Sequence, residues 1–220
     1  MLAYDQRGHG ESSNISPYTL ATLTDDLFGF LDAMDIDQCH LLGHSLGGMV
    51  ALRGLLAQPQ RFKSAVLMDT APYGMNLFDD RTRAQLNTLV TEQGCVALLN
   101  GMQGQPQNAV IQRGIDFLGK REHWRRIRVK LEQMDPQAFV DLGTALSEQA
   151  SVQARLTSLH TQVTVLIGEH DKPFTKAAKE MASAIPDAQL VTIKDAGHCP
   201  QYENAEAWQT AIEAHLSSAT

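Results

Sequence analysis

Short apolar runs alternate along this chain with longer segments in which apolar residues recur every three or four positions. The runs predict strands over residues 40–42, 65–68, 163–167 and 190–193, with residues 2–4 as the end of a further strand. The periodic segments predict helices over residues 20–34, 49–57, 175–184 and 203–216. One face of the first and of the last helix is apolar, through Leu20, Leu23, Leu27, Leu31 and Met34, and through Trp208, Ile212 and Leu216. Because strands that alternate with helices form parallel sheets covered on both faces, the pattern predicts an α/β fold with a mostly parallel sheet.

One long region breaks this alternation. Residues 73–160 contain no convincing strand but show helical periodicity over residues 80–92, 110–118, 122–134 and 137–149. A structureless loop of this length would be unusual, so we interpret the region as a helical insertion. The predicted organisation is a core formed by residues 1–72 and 161–220, with residues 73–160 inserted into it.

Composition excludes several classes of protein. The chain has 220 residues and a formal net charge of −7, which gives no general attraction for nucleic acid or for anionic membranes. The basic run over residues 120–130 leaves its apolar side chains on one helix face and is read as a solvated helix surface. No apolar stretch is long enough to span a membrane, and the N-terminus predicts no signal peptide. Three scattered cysteines do not form a disulfide framework, so we expect a cytoplasmic protein.

The strongest motif is Gly43-His44-Ser45-Leu46-Gly47, which matches G-x-S-x-G between an apolar strand and an apolar helix. A serine on such a tight turn is raised clear of the sheet, and glycines leave space for the neighbouring strand and helix. The first N–H groups of the helix face the charge that develops during acyl transfer. Ser45 is therefore the predicted nucleophile and the N–H of Leu46 a predicted oxyanion donor. The alternative is a glycine-rich structural turn.

A serine nucleophile needs a histidine base. His198 follows the last strand in Asp195-Ala196-Gly197-His198 and is the predicted base; a buried capping histidine is the alternative. His44 and His9 are candidate substrate-binding residues, although His44 also fits a packing role. The remaining histidines are read as strand, surface or packing residues: His40, His123, His160, His170 and His215.

The base in turn needs an acid that fixes its tautomer. Asp171 follows the strand that ends at Gly168, and it gives the order Ser, Asp, His that is usual for this enzyme class. Asp69 is the main rival, because it also ends a predicted strand. Glu169 and Asp195 stay open as further candidates, and each of these carboxylates also fits a solvated loop.

Together these motifs resemble the α/β-hydrolase superfamily, and within it the capped esterases, lactonases and carbon–carbon hydrolases. The resemblance rests on residues 5–12 (Asp-Gln-Arg-Gly-His-Gly-Glu-Ser), 43–48, 168–171 and 197–198. It implies that residues 73–160 form a cap over the site. It also implies that Asp5 and Arg7 hold a structural loop. Halide-displacing relatives are excluded, because they need a carboxylate where Ser45 stands.

The resemblance begins at the family's fourth strand, which leaves roughly 60 residues of the usual fold without a counterpart. The family's second oxyanion donor is among them, and a group near residues 8–10 is a hypothetical substitute. The family's third strand normally lies beside the strand at residues 40–42, so that edge would be open. Either residues 2–4 pair with it or a second copy covers it, and we expect a homodimer.

The predicted function is hydrolysis of small carboxylic esters through an acyl-enzyme intermediate, with no cofactor and no metal. Aromatic and methionine-rich segments in the insertion favour a small apolar acyl or alkyl group. Lactone or carbon–carbon bond hydrolysis by the same triad is one alternative. A catalytically weak scaffold or ligand-binding module is the other.

Overall fold

The structure, a computed structural model, describes residues 1–104 and 109–219. In these residues one sheet of four parallel strands has the order β1-β2-β3-β4. The strands are β1 (Cys39–His44), β2 (Phe62–Met68), β3 (Gln162–Gly168) and β4 (Gln189–Ile193). Each of these four was predicted from an apolar run, and the α/β fold class is confirmed.

The helices surround this sheet in chain order. They are α1 (Leu20–Ala33), α2 (Leu46–Ala57), α3 (Asp80–Gln93), α4 (Leu98–Gly104), α5 (Ala109–Leu118), α6 (Lys120–Glu132), α7 (Pro136–Glu148), α8 (Lys172–Ala184), α9 (Pro200–Glu203) and α10 (Ala205–Ser218). The predicted helical periodicity of the insertion is present as α3, α5, α6 and α7, whereas α4 was not predicted. Two starts are capped as their sequences favour: Asp79 accepts a hydrogen bond from the N–H of Thr82, and Asp135 accepts one from Gln137 before Pro136.

Burial of the strands follows their place in the sheet. The central strands β2 and β3 are almost continuously buried, as expected for strands with helices on both faces. The outer strands β1 and β4 alternate between buried and exposed positions. One core cluster joins Val66, Met68, Leu166 and Ile193, and Trp208 of α10 packs against it.

The chain divides into two compact units. One consists of Met1–Asp26 and Met75–Gln149, and the other of Leu27–Gly74 and Ala150–Thr220. The second unit contains the whole sheet. The sequence-based division into residues 1–72 with 161–220 and an inserted cap over residues 73–160 stays a prediction.

Three details differ from the expectations. Residues 1–6 form no strand, so the strand end over residues 2–4 and its pairing with residues 40–42 are wrong; Leu2 is exposed, and a strand needs a neighbour for its backbone hydrogen bonds. Met34 lies beyond the end of α1 and is exposed, because the chain turns at Asp35 with a φ of 53°. Leu216 is also exposed, and His215 is buried in its place.

In the described ranges, no helix combines the length and the apolar character that a membrane crossing requires. Cys39, Cys95 and Cys199 are all free thiols. The cytoplasmic location stays a prediction.

A buried polar chain crosses the sheet away from the nucleophile motif. His215 of α10 is bonded through Nδ1 to the hydroxyl of Thr164 at 2.8 Å and through Nε2 to the hydroxyl of Ser64 at 2.8 Å. Ser64 is bonded in turn to Nδ1 of His40 on β1 at 2.7 Å. Burial, and then the charge of His40, lower the pKa of His215. The packed arrangement therefore favours neutral His215.

We expect this histidine to make the protein less stable in mild acid. Below the ordinary histidine pKa of about 6.5 the unfolded chain takes up a proton that folded His215 refuses, so the free energy of unfolding falls as pH decreases. In His215→Gln, urea unfolding at pH 7.5 and 5.5 should show a smaller loss, the difference being bounded by about 1.4 kcal/mol per pH unit for one proton. Exposed His160→Gln is the matched control. Equal losses in His215→Gln and wild type would contradict the assignment.

Candidate active site

Ser45 lies on a sharp turn between β1 and α2. Its backbone has a φ of 54° and a ψ of −119°, a conformation that residues other than glycine rarely adopt. Two bonds hold the turn: the N–H of Ser45 donates to the carbonyl of Met68 at 2.9 Å, and the hydroxyl of Thr70 donates to the carbonyl of Ser45 at 2.7 Å. Strained residues held in this way are concentrated at functional positions.

The glycines beside Ser45 provide the space for this turn. A Cβ on Gly43 would lie 2.5 Å from the carbonyl oxygen of Gly47 and 2.8 Å from Cα of Gly48. A Cβ on Gly48 would lie 2.6 Å from side-chain atoms of Thr70. Carbon atoms pack at about 3.5–4.0 Å, so any larger residue would push α2 away from the strands.

Leu46 is the first residue of α2. Its N–H consequently has no carbonyl partner within the helix, and the helix dipole adds partial positive charge there. Both features favour an anion beside the turn. The position fits the predicted role of Leu46 as an oxyanion donor, which stays a prediction.

Asp171 and His198 meet beyond the carboxyl ends of β3 and β4. Nδ1 of His198 lies 2.7 Å from Oδ2 of Asp171. The Asp171 side chain is 1% exposed and that of His198 is 24% exposed, so the acid is enclosed while the imidazole reaches the surface. A carboxylate that accepts from Nδ1–H leaves Nε2 unprotonated and able to act as a base.

Backbone contacts hold the two loops together. The N–H of His170 donates to the carbonyl of Ala196 at 2.8 Å, and the N–H of Glu169 donates to that of Ile193 at 3.0 Å. The two loops approach most closely at Gly168, where any Cβ would overlap the carbonyl group of Gly197. Gly168 is thus required for the approach that brings acid and base into contact.

Two rings flank the imidazole of His198. Phe174, on the first turn of α8, stacks on it with a centroid distance of 5.1 Å and an interplanar angle of 27°. The ring of His44 lies 4.9 Å away, and its Nε2 is 2.7 Å from the carbonyl oxygen of His198. Since His44 directly precedes Ser45, this contact brings the base loop to the nucleophile turn. It gives His44 a positioning contact, and its predicted substrate contact stays a prediction.

The hydroxyl of Ser45 makes no hydrogen bond to His198 in the part of the chain that the structure describes. Catalytic hydrogen bonds of ligand-free enzymes are often long and shorten when substrate binds. The structure therefore brings Asp171 and His198 together beside the Ser45 turn, and the proton-transfer contact itself stays a prediction.

The rival carboxylates have other partners. Oδ1 of Asp69, directly after β2, accepts the N–H of Gly168 at 2.9 Å. Burial raises the pKa of Asp69 to about 9, with a further contribution from Asp171. Glu169 accepts the N–H of Asp195 at 2.9 Å, and this bond lowers the pKa of Glu169. Among the described carboxylates, the one bonded to the imidazole of His198 is that of Asp171.

Two groups of side chains come close enough to share a cation. One is formed by Asp69, Asp171 and His198, whose nearest ligand atoms all lie within 4.8 Å of one another. The other group, at the surface, is formed by Glu169, His170 and Asp195. In the first group Asp171 and His198 are already bonded to each other, which is the arrangement of an acid–base pair.

The early loop belongs to the other unit and is described by itself. Arg7 binds both carboxylate oxygens of Asp26, each at 2.5 Å, and the carboxylate of Asp5 accepts the N–H of Glu11 at 3.0 Å. These bonds fit the structural role that the resemblance implies for Asp5 and Arg7. His9 is bonded through Nδ1 to the carbonyl of Arg7 at 3.2 Å, and its predicted substrate contact stays a prediction.

Sequence reasoning missed three residues of this site. Thr70 holds the nucleophile turn, Phe174 stacks on the base, and the carboxylate of Glu203 in α9 accepts the N–H of Gly197 beside the base. Phe174 carried a weak signal, because it lies three residues after the predicted acid at a helix start.

Comparison with known proteins agrees with this geometry. The profile of the alpha/beta hydrolase family matches residues 1–209. The chain belongs to this family. Family membership confirms the resemblance, and together with the relatives it supports hydrolase activity.

Two curated relatives and one solved structure illustrate the range of the family. RutD of Pseudomonas syringae, named for carbamate hydrolysis, is 27% identical over 99% of this chain and 83% of its own length. The 3-oxoadipate enol-lactonase 2 of Acinetobacter baylyi is 26% identical over 97% of this chain and 77% of its own length. A thermophilic esterase from Thermogutta terrifontis superposes with a TM-score of 0.81 and 25% identity, over 98% of this chain and 78% of that one. Two further curated relatives are longer, and the chain covers 64% and 56% of them.

Proposed function

We propose that this protein is a serine hydrolase that cleaves small carboxylic esters through an acyl-enzyme intermediate. The observation that carries the proposal is the 2.7 Å contact between Nδ1 of His198 and Asp171, next to the strained turn that presents Ser45. An enclosed acid, a partly exposed base and a serine at a helix N-terminus form the constellation that acyl transfer requires.

The proposed reaction begins at the serine hydroxyl. Nε2 of His198 takes the proton of Ser45 Oγ as the oxygen attacks the ester carbonyl. The N–H of Leu46 stabilises the oxyanion of the tetrahedral intermediate. Collapse of this intermediate releases the alcohol, which receives its proton from His198, and leaves an acyl group on Ser45. Water then attacks the acyl group by the same proton transfers, and the acid is released.

A panel of p-nitrophenyl esters from acetate to decanoate tests the proposal. The aromatic and methionine-rich insertion favours small apolar groups, so kcat/KM should be highest for the shorter acyl chains. Turnover of none of these esters, by folded protein at pH 7 to 8, would refute the esterase proposal.

Lactone hydrolysis by the same triad is the second candidate, and the likeness to an enol-lactonase favours it. A lactone is an internal ester, so Ser45 and His198 would act in the same way. Adding simple lactones and a carbon–carbon ring-cleavage substrate to the panel separates the candidates by their relative kcat/KM. Inertness towards every substrate and towards a fluorophosphonate would instead favour a non-catalytic scaffold.

We also propose that the protein forms a homodimer through the outer edge of β1. In the described residues β1 pairs only with β2, and Leu42 on β1 is 40% exposed. An unpaired edge with apolar side chains is a template for a second copy. Light scattering should give twice the chain mass of 24.1 kDa. Leu42→Glu should shift the protein to monomer, whereas Leu190→Glu on β4, equally exposed, should not; a monomeric wild type would contradict the proposal.

A further inference from the structure

The triad acid has a second carboxyl group beside it. Asp69 follows β2 directly and is fully buried, with no exposed surface. Its backbone, at a φ of 46°, is held by a bond from its N–H to the carbonyl of Leu166 at 2.9 Å. Its Oδ1 accepts the N–H of Gly168 at 2.9 Å. The carboxyl group is consequently fixed in place and has no access to water.

The second oxygen of this carboxyl group lacks an acceptor's partner. Oδ2 of Asp69 is buried and receives no hydrogen bond from any described group. Asp69, Asp171 and His198 each place one polar atom within 4.8 Å of the other two. Two ionised carboxylates this close, away from water, would repel each other and lose their hydration. A single proton on Asp69 removes the repulsion and turns the unpartnered oxygen into a donor.

The charges around Asp69 act in the same direction. Burial is the largest influence that raises its pKa, to about 9, and the carboxylates of Asp171 and Glu203 add to it. The N–H of Gly168 opposes them. His198 is the cationic group of the cluster when it is protonated, and it is already paired with Asp171.

We infer that Asp69 is held as a neutral carboxylic acid that donates a hydrogen bond to Asp171, and that it is a positioning residue for the Asp171–His198 pair. The inference rests on the proposed function of that pair. Asp171 then keeps a single negative charge facing the imidazole, while the neighbouring acid restricts its rotation. A neutral donor supplies this support without adding a second negative charge that would hold His198 protonated.

Two substitutions separate a neutral donor from an anion. Asp69→Asn keeps an acceptor for Gly168 and a donor for Asp171, whereas Asp69→Ala removes both. We expect kcat to fall by less than about threefold in the former and by at least about tenfold in the latter, as for loss of a supporting contact around a catalytic group. The acidic limb of the kcat/KM profile, which reports on His198, should move by less than about 0.3 pH units in Asp69→Asn. A downward shift of about one unit or more would mean that a negative charge had been removed, and would overturn the inference.

Infrared spectroscopy gives a readout that does not need activity. At pH 7 the wild type should show a C=O stretching band of a protonated buried carboxyl, which is absent in Asp69→Asn and shifts when aspartate is labelled with ¹³C. Labelling the wild type alone decides the matter if Asp69→Asn fails to fold. No protonated band would overturn the inference even in an active enzyme, and an inactive protein with the band would refute only the proposed function.

Unfolding and metal addition provide two more outcomes. An acid with a raised folded pKa loses stability as pH rises towards that value, so Asp69→Asn should gain stability relative to wild type between pH 6 and 8. A wild type that is stabilised relative to Asp69→Asn over this range would contradict the inference. Activity lost on dialysis against EDTA and restored by Zn²⁺ would also overturn it, since a cation held by Asp69, Asp171 and His198 requires both carboxylates to be ionised.

Discussion

Replacing Ser45 with alanine is expected to lower kcat for p-nitrophenyl ester hydrolysis by at least roughly 10³-fold, because no other group can form the acyl-enzyme. The turn itself should persist. Its backbone bonds to Met68 and Thr70 do not involve the Ser45 hydroxyl, and the flanking glycines are unchanged. Steady-state kinetics with a short acyl ester, together with a thermal melt of each protein, measure the effect.

Ser158→Ala is the matched control, because it removes an exposed hydroxyl whose bond to the carbonyl of Arg155 is local. Its kcat and melting temperature should equal those of wild type. A folded Ser45→Ala protein that keeps more than about a tenth of the wild-type kcat would mean that Ser45 is not the nucleophile.

Replacing Asp171 with asparagine is expected to lower kcat by about 10³–10⁴-fold, the range seen when a triad acid becomes an amide. An amide N–H facing Nδ1 of His198 favours the tautomer with the proton on Nε2, and that tautomer cannot accept the proton of Ser45. The loss should appear in kcat with little change in KM, since the substituted group is enclosed and 1% exposed.

Two other amide substitutions show whether the effect is specific. Glu169→Gln removes a carboxylate two positions earlier that is bonded to the N–H of Asp195, and should keep kcat within about threefold of wild type. Asp69→Asn should retain far more activity than Asp171→Asn. If Asp69→Asn were the inactive variant and Asp171→Asn the active one, Asp69 would be the triad acid.

The chemistry at the strand ends could be predicted from the sequence because it depends on local pattern. Ser45 lies between glycines where an apolar strand meets an apolar helix, and that order alone predicts the turn that the structure contains. Asp171 and His198 each follow an apolar run. Parallel strands place such residues at one edge of the sheet, which is where the 2.7 Å contact lies.

Features that depend on side-chain neighbours far apart in the chain could not be predicted. Asp69 was recognised as the end of a strand and as a rival acid, but its approach to Asp171 depends on the register between β2 and β3. The close fit of Gly168 against Gly197 depends on two loops that no short motif links. Stacking of Phe174 on His198 likewise becomes visible only when α8 is placed.

Periodicity misled where an element ended one turn early. Met34 fits the spacing of the apolar face of α1, but the helix ends at Ala33 and the side chain is exposed. Leu216 fits the spacing of α10, yet His215 is the residue that is buried there, held by two hydroxyl groups of the sheet. An apolar pattern does not reveal a buried polar network, because the network satisfies a polar side chain that would otherwise be assigned to the surface.

The measurement that tests the central claim most directly is mapping of a fluorophosphonate adduct by mass spectrometry. The account predicts one adduct per chain, on Ser45, with none in Ser45→Ala and a greatly slowed reaction in His198→Ala, because the imidazole must take the proton of the hydroxyl. An adduct on a different residue, or a folded wild type that forms none at pH 7 to 8, would contradict it.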